Sequence, residues 1–507
     1  MIKSGYSKKE KTAILFLLLA NVLILLTIWL EHNYDQISFD QFLFQLKSTT
    51  KGVHKALLGS AILQVGFFSL VLTAFEMWLY HSFTGEQDQK HFTYLKKVRI
   101  SHPALSVLVK KHFLSIASVM LVIALIICGA KMRVYSFMKA DSMESTFIKK
   151  HYVKPDNSIL HFPEQKRNLI YIFLESMEST YADPDAGDMI TACYIPELES
   201  LANSNLNFSH NTGLGGALSY PGTTWTAAAM VAQTAGIPVK ISLEADTYGA
   251  DDAFLPGVTS LGQILEQQGY NQVLLLGSDA EFHGREVYFT EHGNYEILDT
   301  DSLKKAGRLP EDYDAWWGFE DEKLFSYAKE ELIRLAKKGA PFNFTMLTAD
   351  THFPDGCRCS LCRDDYDTQY ANVLACSSRQ VAEFVTWVQK QPFYDNTTVI
   401  ISGDHLTMDA GIMEDIDTDY TRSVYNCFIH AAKAPIKEKN RQFGTFDLFP
   451  TTLAALGVEI EGDRLGLGTN LFSDRETLTE QFGYEYLAQE LQKQSRFYDV
   501  ELLQVEE

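Results

Sequence analysis

Hydrophobic positions in this chain follow two regimes. Over the first 130 residues they gather into three uncharged runs, residues 12–30, 56–75 and 113–130, of 19, 20 and 18 positions. At 1.5 Å per residue each can cross a hydrocarbon core of about 30 Å. The runs are apolar all round rather than along one stripe, so they predict membrane-spanning helices at about 12–30, 56–80 and 113–130 instead of buried core helices. Lys3, Lys8, Lys9 and Lys11 ahead of the first run resemble the start of a signal peptide. No small-residue cleavage site follows Trp29, however, and two further runs do follow, so residues 1–130 are read as a retained anchor. Glu76 lies near the end of the second span, where its side chain can reach the interface.

After residue 166 the pattern changes. Short β-rich runs alternate with longer amphipathic stretches, which predicts an α/β domain over residues 167–472, a mostly parallel sheet with helices on both faces. Helical spacing marks residues 226–235, 260–268, 320–338 and 447–457. Residues 131–166 read as a juxtamembrane linker and 473–507 as an acidic amphipathic tail.

Charge adds an orientation. The 507 residues carry a net charge of −21, yet residues 1–130 hold 13 Lys and Arg against 7 Asp and Glu, so the anchor is +6 and the remainder −27. A remainder that acidic lacks the basic stripe that DNA or RNA requires. The N-terminus carries four lysines and residues 81–112 carry six basic residues, whereas residues 31–55 balance three with three acids. The positive-inside rule puts the two basic segments in the cytoplasm, and three crossings put the domain outside it.

Seven cysteines follow the same division: Cys128 lies in the third span, and Cys193, Cys357, Cys359, Cys362, Cys376 and Cys427 lie in the exported part. Cys357, Cys359 and Cys362 could form half a zinc knuckle, but no matching Cys or His pair stands at finger spacing. Disulfides are the preferred reading, with Cys362 to Cys376 as the local pairing.

Candidate chemistry sits at the ends of the strand-like runs. Residues 168–175 end in Glu175, 272–279 in Asp279, 342–350 in Asp350 with His352 behind it, and 398–404 in Asp404 followed by His405. In an open α/β sheet the ligand crevice lies outside the carboxyl ends of the strands, so these residues converge on one edge, although any single Asp there could equally cap the next helix. Glu175, Asp404 and His405 offer two carboxylates and an imidazole, a set suited to Zn²⁺ or Mn²⁺. A fourth ligand is sought in the run Ser219, Tyr220, Pro221, Gly222, Thr223, Thr224, where a Pro-Gly turn opens an Ala-rich helix. A hydroxyl at that N-terminus would meet the free N–H groups and dipole that favour a phosphate, though Thr223 or Thr224 could also be a plain N-cap.

This order of motifs, Phe-Leu-Glu175-Ser, the Gly-Thr turn, Asp350-Thr-His352 and Gly-Asp404-His405, resembles the membrane-anchored phosphoglycerol transferases. That family includes lipoteichoic acid synthase and lies in the sulfatase-like branch of the alkaline phosphatase superfamily. The resemblance covers roughly residues 168–472 and implies an αβα sandwich holding one divalent ion, Mn²⁺ ahead of Zn²⁺. Its ligands would be Glu175, Asp404, His405 and the nucleophilic threonine. Matching the turn to the threonine-serine run of lipoteichoic acid synthase selects Thr223, and matching the glycine spacing selects Thr224 as the alternate. His352 then contacts the phosphoglycerol headgroup, with His283 and Arg285 as further headgroup contacts.

The implied activity is transfer of glycerol phosphate from phosphatidylglycerol to a cell-envelope glycan or polymer through a phosphoglyceryl-threonine. One rival reading is a phosphoethanolamine transferase, sulfatase or phosphodiesterase-type hydrolase on the same fold. Another is a non-catalytic, membrane-tethered glycan-binding domain. No Cys/Ser-x-Pro/Ala-x-Arg motif for a sulfatase formylglycine stands at the turn.

Overall fold

The computed structural model describes residues 6–34, 38–47, 55–84, 103–186, 190–241, 253–313, 315–413, 416 and 419–505. Of the basic residues used for orientation, Lys3, Lys51, Lys90, Lys96, Lys97 and Arg99 lie outside these. The chain divides into two compact units, Met1–Ser38 with His54–Ser136, and Phe39–Val53 with Phe137–Glu507.

The first unit holds three helices long and apolar enough to cross a membrane, Lys8–Asn33, Leu57–Ser82 and Val107–Lys131. Glu76 does not depend on the interface: its carboxylate accepts a 3.0 Å hydrogen bond from Asn21 of the first helix, whose amide also lies 3.1 Å from Thr73 Oγ1. A polar group among apolar helices is held by a polar partner on a neighbouring helix.

The second unit is built on a seven-stranded sheet. Its strands are β1 (Asn168–Leu174), β2 (Gly216–Ala217), β3 (Asn271–Leu276), β4 (Glu296–Leu298), β5 (Phe342–Leu347), β6 (Thr397–Gly403) and β7 (Val424–Ile429), in the order β2-β7-β6-β1-β5-β3-β4. β6, β1, β5, β3 and β4 are parallel, and β7 and β2 are antiparallel additions at one edge. β1 is buried along its whole length, and its alternate residues enter two separate cores. Leu169, Tyr171 and Phe173 face one, and Ile170, Ile172 and Leu174 face the other. That is why the strand reads as a continuous apolar run.

Six helices of this unit matter below. They are α1 (Phe39–Lys47), α2 (Thr226–Ala235), α3 (Leu261–Gln267), α4 (Asp321–Ala336), α5 (Gln369–Gln389) and α6 (Leu448–Ala455). Apolar residues of α2, α3 and α6 fill the core beneath Tyr171, and those of α4 and α5 fill the core beneath Ile172. The result is an αβα sandwich.

Two segments outside the bounds expected for the domain, the linker and the tail, contribute to its core. Phe147, Ile148 and Leu160 from the linker, and Leu478, Leu487, Leu491, Tyr498, Leu502 and Leu503 from the tail, are buried in the same cluster as Tyr171. The tail's Tyr498 accepts from the Lys240 N–H and donates to the Pro238 carbonyl, pinning the segment that follows α2. Widely spaced apolar positions in a charged stretch bury one face of it while its average composition stays polar.

All seven cysteines are free thiols. The disulfide expected between Cys362 and Cys376 is not formed, because Cys359 Sγ lies 3.7 Å from each of them and the three sulfurs converge instead of pairing.

Candidate active site

Sheet register brings the two carboxylates together. Leu174 of β1 is in register with Gly403 of the adjacent parallel strand β6, so Glu175 and Asp404 leave the sheet side by side. The segment after β5 supports them. Thr348 Oγ1 accepts from the Glu175 N–H at 3.0 Å, and the Thr351 hydroxyl donates to the Glu175 carbonyl at 2.6 Å. Asp404 Oδ1 accepts from the N–H groups of Ser176 and His405 at 2.8 and 2.7 Å. His405 Nδ1 bonds the Leu406 carbonyl at 2.7 Å, leaving Nε2 at 3.4 Å from both Glu175 Oε1 and Asp404 Oδ2. Glu175, Asp404 and His405 are wholly buried, and one ligand atom from each lies within 4.8 Å of the others.

The electrostatics of this trio call for a cation. Burial and then the Glu175 charge push the Asp404 carboxyl up to about 8. Burial would raise Glu175 as well, but the His405 hydrogen bond and charge outweigh it and hold Glu175 at about 2. His405 is raised to about 9, because Asp404 and then Glu175 override the burial that would lower it. Asp404 Oδ2 is buried without a hydrogen-bond partner. Two buried carboxylates, an imidazole already oriented through its other nitrogen, and one orphaned oxygen fit a divalent ion. These donors suit such an ion.

The threonine that meets the trio is neither of those expected. Thr223 is fully buried, and its hydroxyl donates to the Tyr220 carbonyl and accepts from the Tyr220 N–H, each at 2.9 Å, closing the turn on itself. Gly222, with φ +79°, is required there, since a Cβ would come within 2.4 Å of the Val239 carbonyl oxygen. Thr224 Oγ1 accepts a 2.6 Å bond from Gln41 of α1. Thr226, the first residue of α2, places its hydroxyl 3.3 Å from Glu175 Oε2 and 3.4 Å from His405 Nε2. The structure thus places Thr226, and neither Thr223 nor Thr224, against the trio. Only the first helical residue projects over the strand ends, and Gly spacing alone does not reveal where the helix begins.

Gln233, two turns along α2, fixes this approach. Its Nε2 donates to the Gly403 and Asp404 carbonyls at 2.9 and 3.1 Å, and its Oε1 accepts from Tyr171 at 2.9 Å. Sequence reading missed Gln233, whose only signal was a polar residue on an otherwise apolar helix. Asp279 and Asp350 do not join the trio: Asp279 Oδ1 accepts from the Glu281 N–H and Asp350 Oδ1 from the Asp321 N–H.

A second set of groups lies close enough to act electrostatically on the trio. His283, Arg285 and His352 are all buried. Burial, reinforced by Arg285, holds His283 far below its usual range, so it is neutral. Both its ring nitrogens lack partners, as do Arg285 Nη1 and Trp225 Nε1. Burial lowers Arg285 to about 10, leaving it cationic at neutral pH. Trp317 stacks on His352 at 4.1 Å and lies 5.5 Å beneath the Arg285 guanidinium, a contribution that the sequence did not signal. Phe44 of α1 packs on Trp225 and His283, each at 5.1 Å. Buried donors without partners, together with a cationic guanidinium, are suited to an oxyanion.

An αβα sandwich with a carboxylate-histidine centre at the strand ends and a hydroxyl at a helix N-terminus defines an alkaline phosphatase-type fold. A model of the sulfatase family matches residues 167–458, and the chain belongs to that family. Phosphoglycerol transferase I of Salmonella choleraesuis strain SC-B67 is 33% identical over 340 residues, 66% of this chain and 42% of that protein, and the Salmonella typhi protein gives the same figures. The chain thus matches less than half the length of these relatives. Among solved structures, the integral membrane lipooligosaccharide phosphoethanolamine transferase A from Neisseria meningitidis shares the fold. It is 13% identical with a TM-score of 0.51, over 90% of this chain and 87% of that one.

Proposed function

We propose that the chain is a metal-dependent phosphoglycerol transferase with Thr226 as its nucleophile. It would move glycerol phosphate from phosphatidylglycerol to a hydroxyl of a cell-envelope glycan or polymer, with the domain outside the cytoplasm. The observation that carries this reading is the Thr226 hydroxyl, held against Glu175 and His405 at the start of α2. The 33% identity to phosphoglycerol transferase I supports the choice of donor.

Glu175, Asp404, His405 and Thr226 would hold the divalent ion, Mn²⁺ ahead of Zn²⁺, whose part is to stabilise charge on the phosphoryl oxygens and acidify the hydroxyl. Thr226 Oγ attacks phosphorus, the bond to the diacylglycerol oxygen breaks, and diacylglycerol leaves with a proton. The proton that leaves with diacylglycerol is the one Thr226 carries in its hydrogen bond to Glu175 Oε2, so Glu175 remains a carboxylate throughout. An acceptor hydroxyl then attacks the phosphoglyceryl-threonine and restores Thr226. The α2 N-terminus and Arg285 face the phosphate oxygens, while His283, His352 and Trp225 Nε1 take the glycerol hydroxyls. The membrane helices raise the effective concentration of a lipid donor.

The test is diacylglycerol release from labelled phosphatidylglycerol by the purified full-length protein with Mn²⁺. Release should vanish in Thr226→Ala and persist in Thr223→Ala. Turnover of phosphatidylethanolamine alone would replace this reading with a phosphoethanolamine transferase.

A further inference from the structure

The thiols of Cys359, Cys362 and Cys376 converge far from any role in the chemistry above. Cys359 Sγ is 3.7 Å from Cys362 Sγ and 3.7 Å from Cys376 Sγ, and all three sulfurs lie within 4.8 Å of one another. A disulfide would bring two sulfurs to about 2.05 Å and leave the third out. Three thiolates around one zinc at about 2.3 Å stand about 3.8 Å apart, the edge of a tetrahedron. The observed spacing matches the second arrangement.

The local backbone is arranged for it. The Cys362 N–H donates to the Cys359 carbonyl at 3.2 Å, a turn that brings the first two sulfurs to one side. Cys376 lies in α5 and is buried. Gln380, one turn further along α5 and also buried, directs its amide Nε2 at the sulfurs of Cys359 and Cys376, 3.6 and 3.5 Å away. An amide N–H donated to sulfur is the outer support expected of a thiolate cluster. The same loop carries one more thiol, Cys357.

We propose that Cys359, Cys362 and Cys376 bind a structural zinc ion that staples the loop following His352 to helix α5. Residues 353–368 form no helix or strand, and they connect the candidate headgroup histidine to α5. The loop is tied back at its start, where the Cys357 N–H donates to the Asp350 carbonyl at 2.7 Å. A zinc at the thiol cluster fixes its other end and, by closing a loop that is otherwise irregular, stabilises the folded state. It also protects the thiols from oxidation in an exported domain.

Cobalt replacement in the full-length protein tests this. Co²⁺ bound by thiolates gives a near-ultraviolet sulfur-to-metal band that carboxylate and imidazole ligands do not. The expected result is that band in the wild type, its retention in Glu175→Gln, and its loss in Cys359→Ser/Cys376→Ser. Metal analysis of the protein as purified should show one fewer zinc in the double variant than in the wild type. Absence of the band from the wild type, or an intact mass showing a disulfide among Cys357, Cys359, Cys362 and Cys376, would overturn the proposal.

Discussion

The trio Glu175, Asp404 and His405 and the cysteines 359, 362 and 376 are both sets of metal-ligand side chains in one domain, yet they are held in different ways. The trio stands on the ends of adjacent parallel strands, wholly buried, with the Thr348 and Thr351 hydroxyls holding Glu175, two backbone N–H groups holding Asp404 and a carbonyl holding His405. The cysteines hang on an irregular loop and one helix, two of them partly exposed. Strand register positions the first set whether or not anything binds there. In the second set, a bridging ion is what would fix the loop. A catalytic centre therefore belongs on the sheet edge, and a staple belongs on the loop.

That difference can be broken from the trio outward. Replacing Asp404 with Asn, or Glu175 with Gln, should lower turnover by about 10³-fold or more, the scale of losing several kcal/mol of charge stabilisation, while the sheet stays folded. Lipid turnover alongside circular dichroism checks both halves of that statement. Arg285→Ala removes a buried cation with an unpartnered Nη1 facing the proposed phosphate site. A loss of about 10²-fold in kcat/KM is expected, as for a charge-assisted hydrogen bond. Cys359→Ser/Cys376→Ser acts on the loop, so it should lower Tm by a few degrees in a thermal melt and reduce turnover by less than tenfold. The smallest effect is expected of Gln41→Ala, which removes the two hydrogen bonds its amide makes to Thr224, with about a fivefold loss of turnover.

How far the site was legible in the sequence follows from the same comparison. Glu175, Asp404 and His405 end apolar runs, and a run that ends in a titratable residue marks a strand end wherever the sheet places it. The fold class was legible for the same reason, since β1, β3, β5 and β6 are short, largely apolar runs separated by helical spacing. Thr226 was not legible, because three threonines fall within four residues and only the first turn of α2 decides which one reaches Glu175. Gln41 and Phe44 were hidden in a segment that looks like a connector between two apolar spans. Their partners Thr224, Trp225 and His283 are more than 180 residues away, a distance at which periodicity carries no information. The core contacts of the tail and linker were not legible, because their buried positions are widely spaced.

The central claim is that Thr226 is the residue that becomes covalently modified. Incubating the full-length protein with phosphatidylglycerol and Mn²⁺ in the absence of acceptor, then quenching in acid, should leave a glycerol phosphate adduct. Fragmentation of the peptide that contains Thr223, Thr224 and Thr226 should place that adduct on Thr226. An adduct on Thr223 or Thr224, or diacylglycerol release with no adduct on this peptide, would contradict the account.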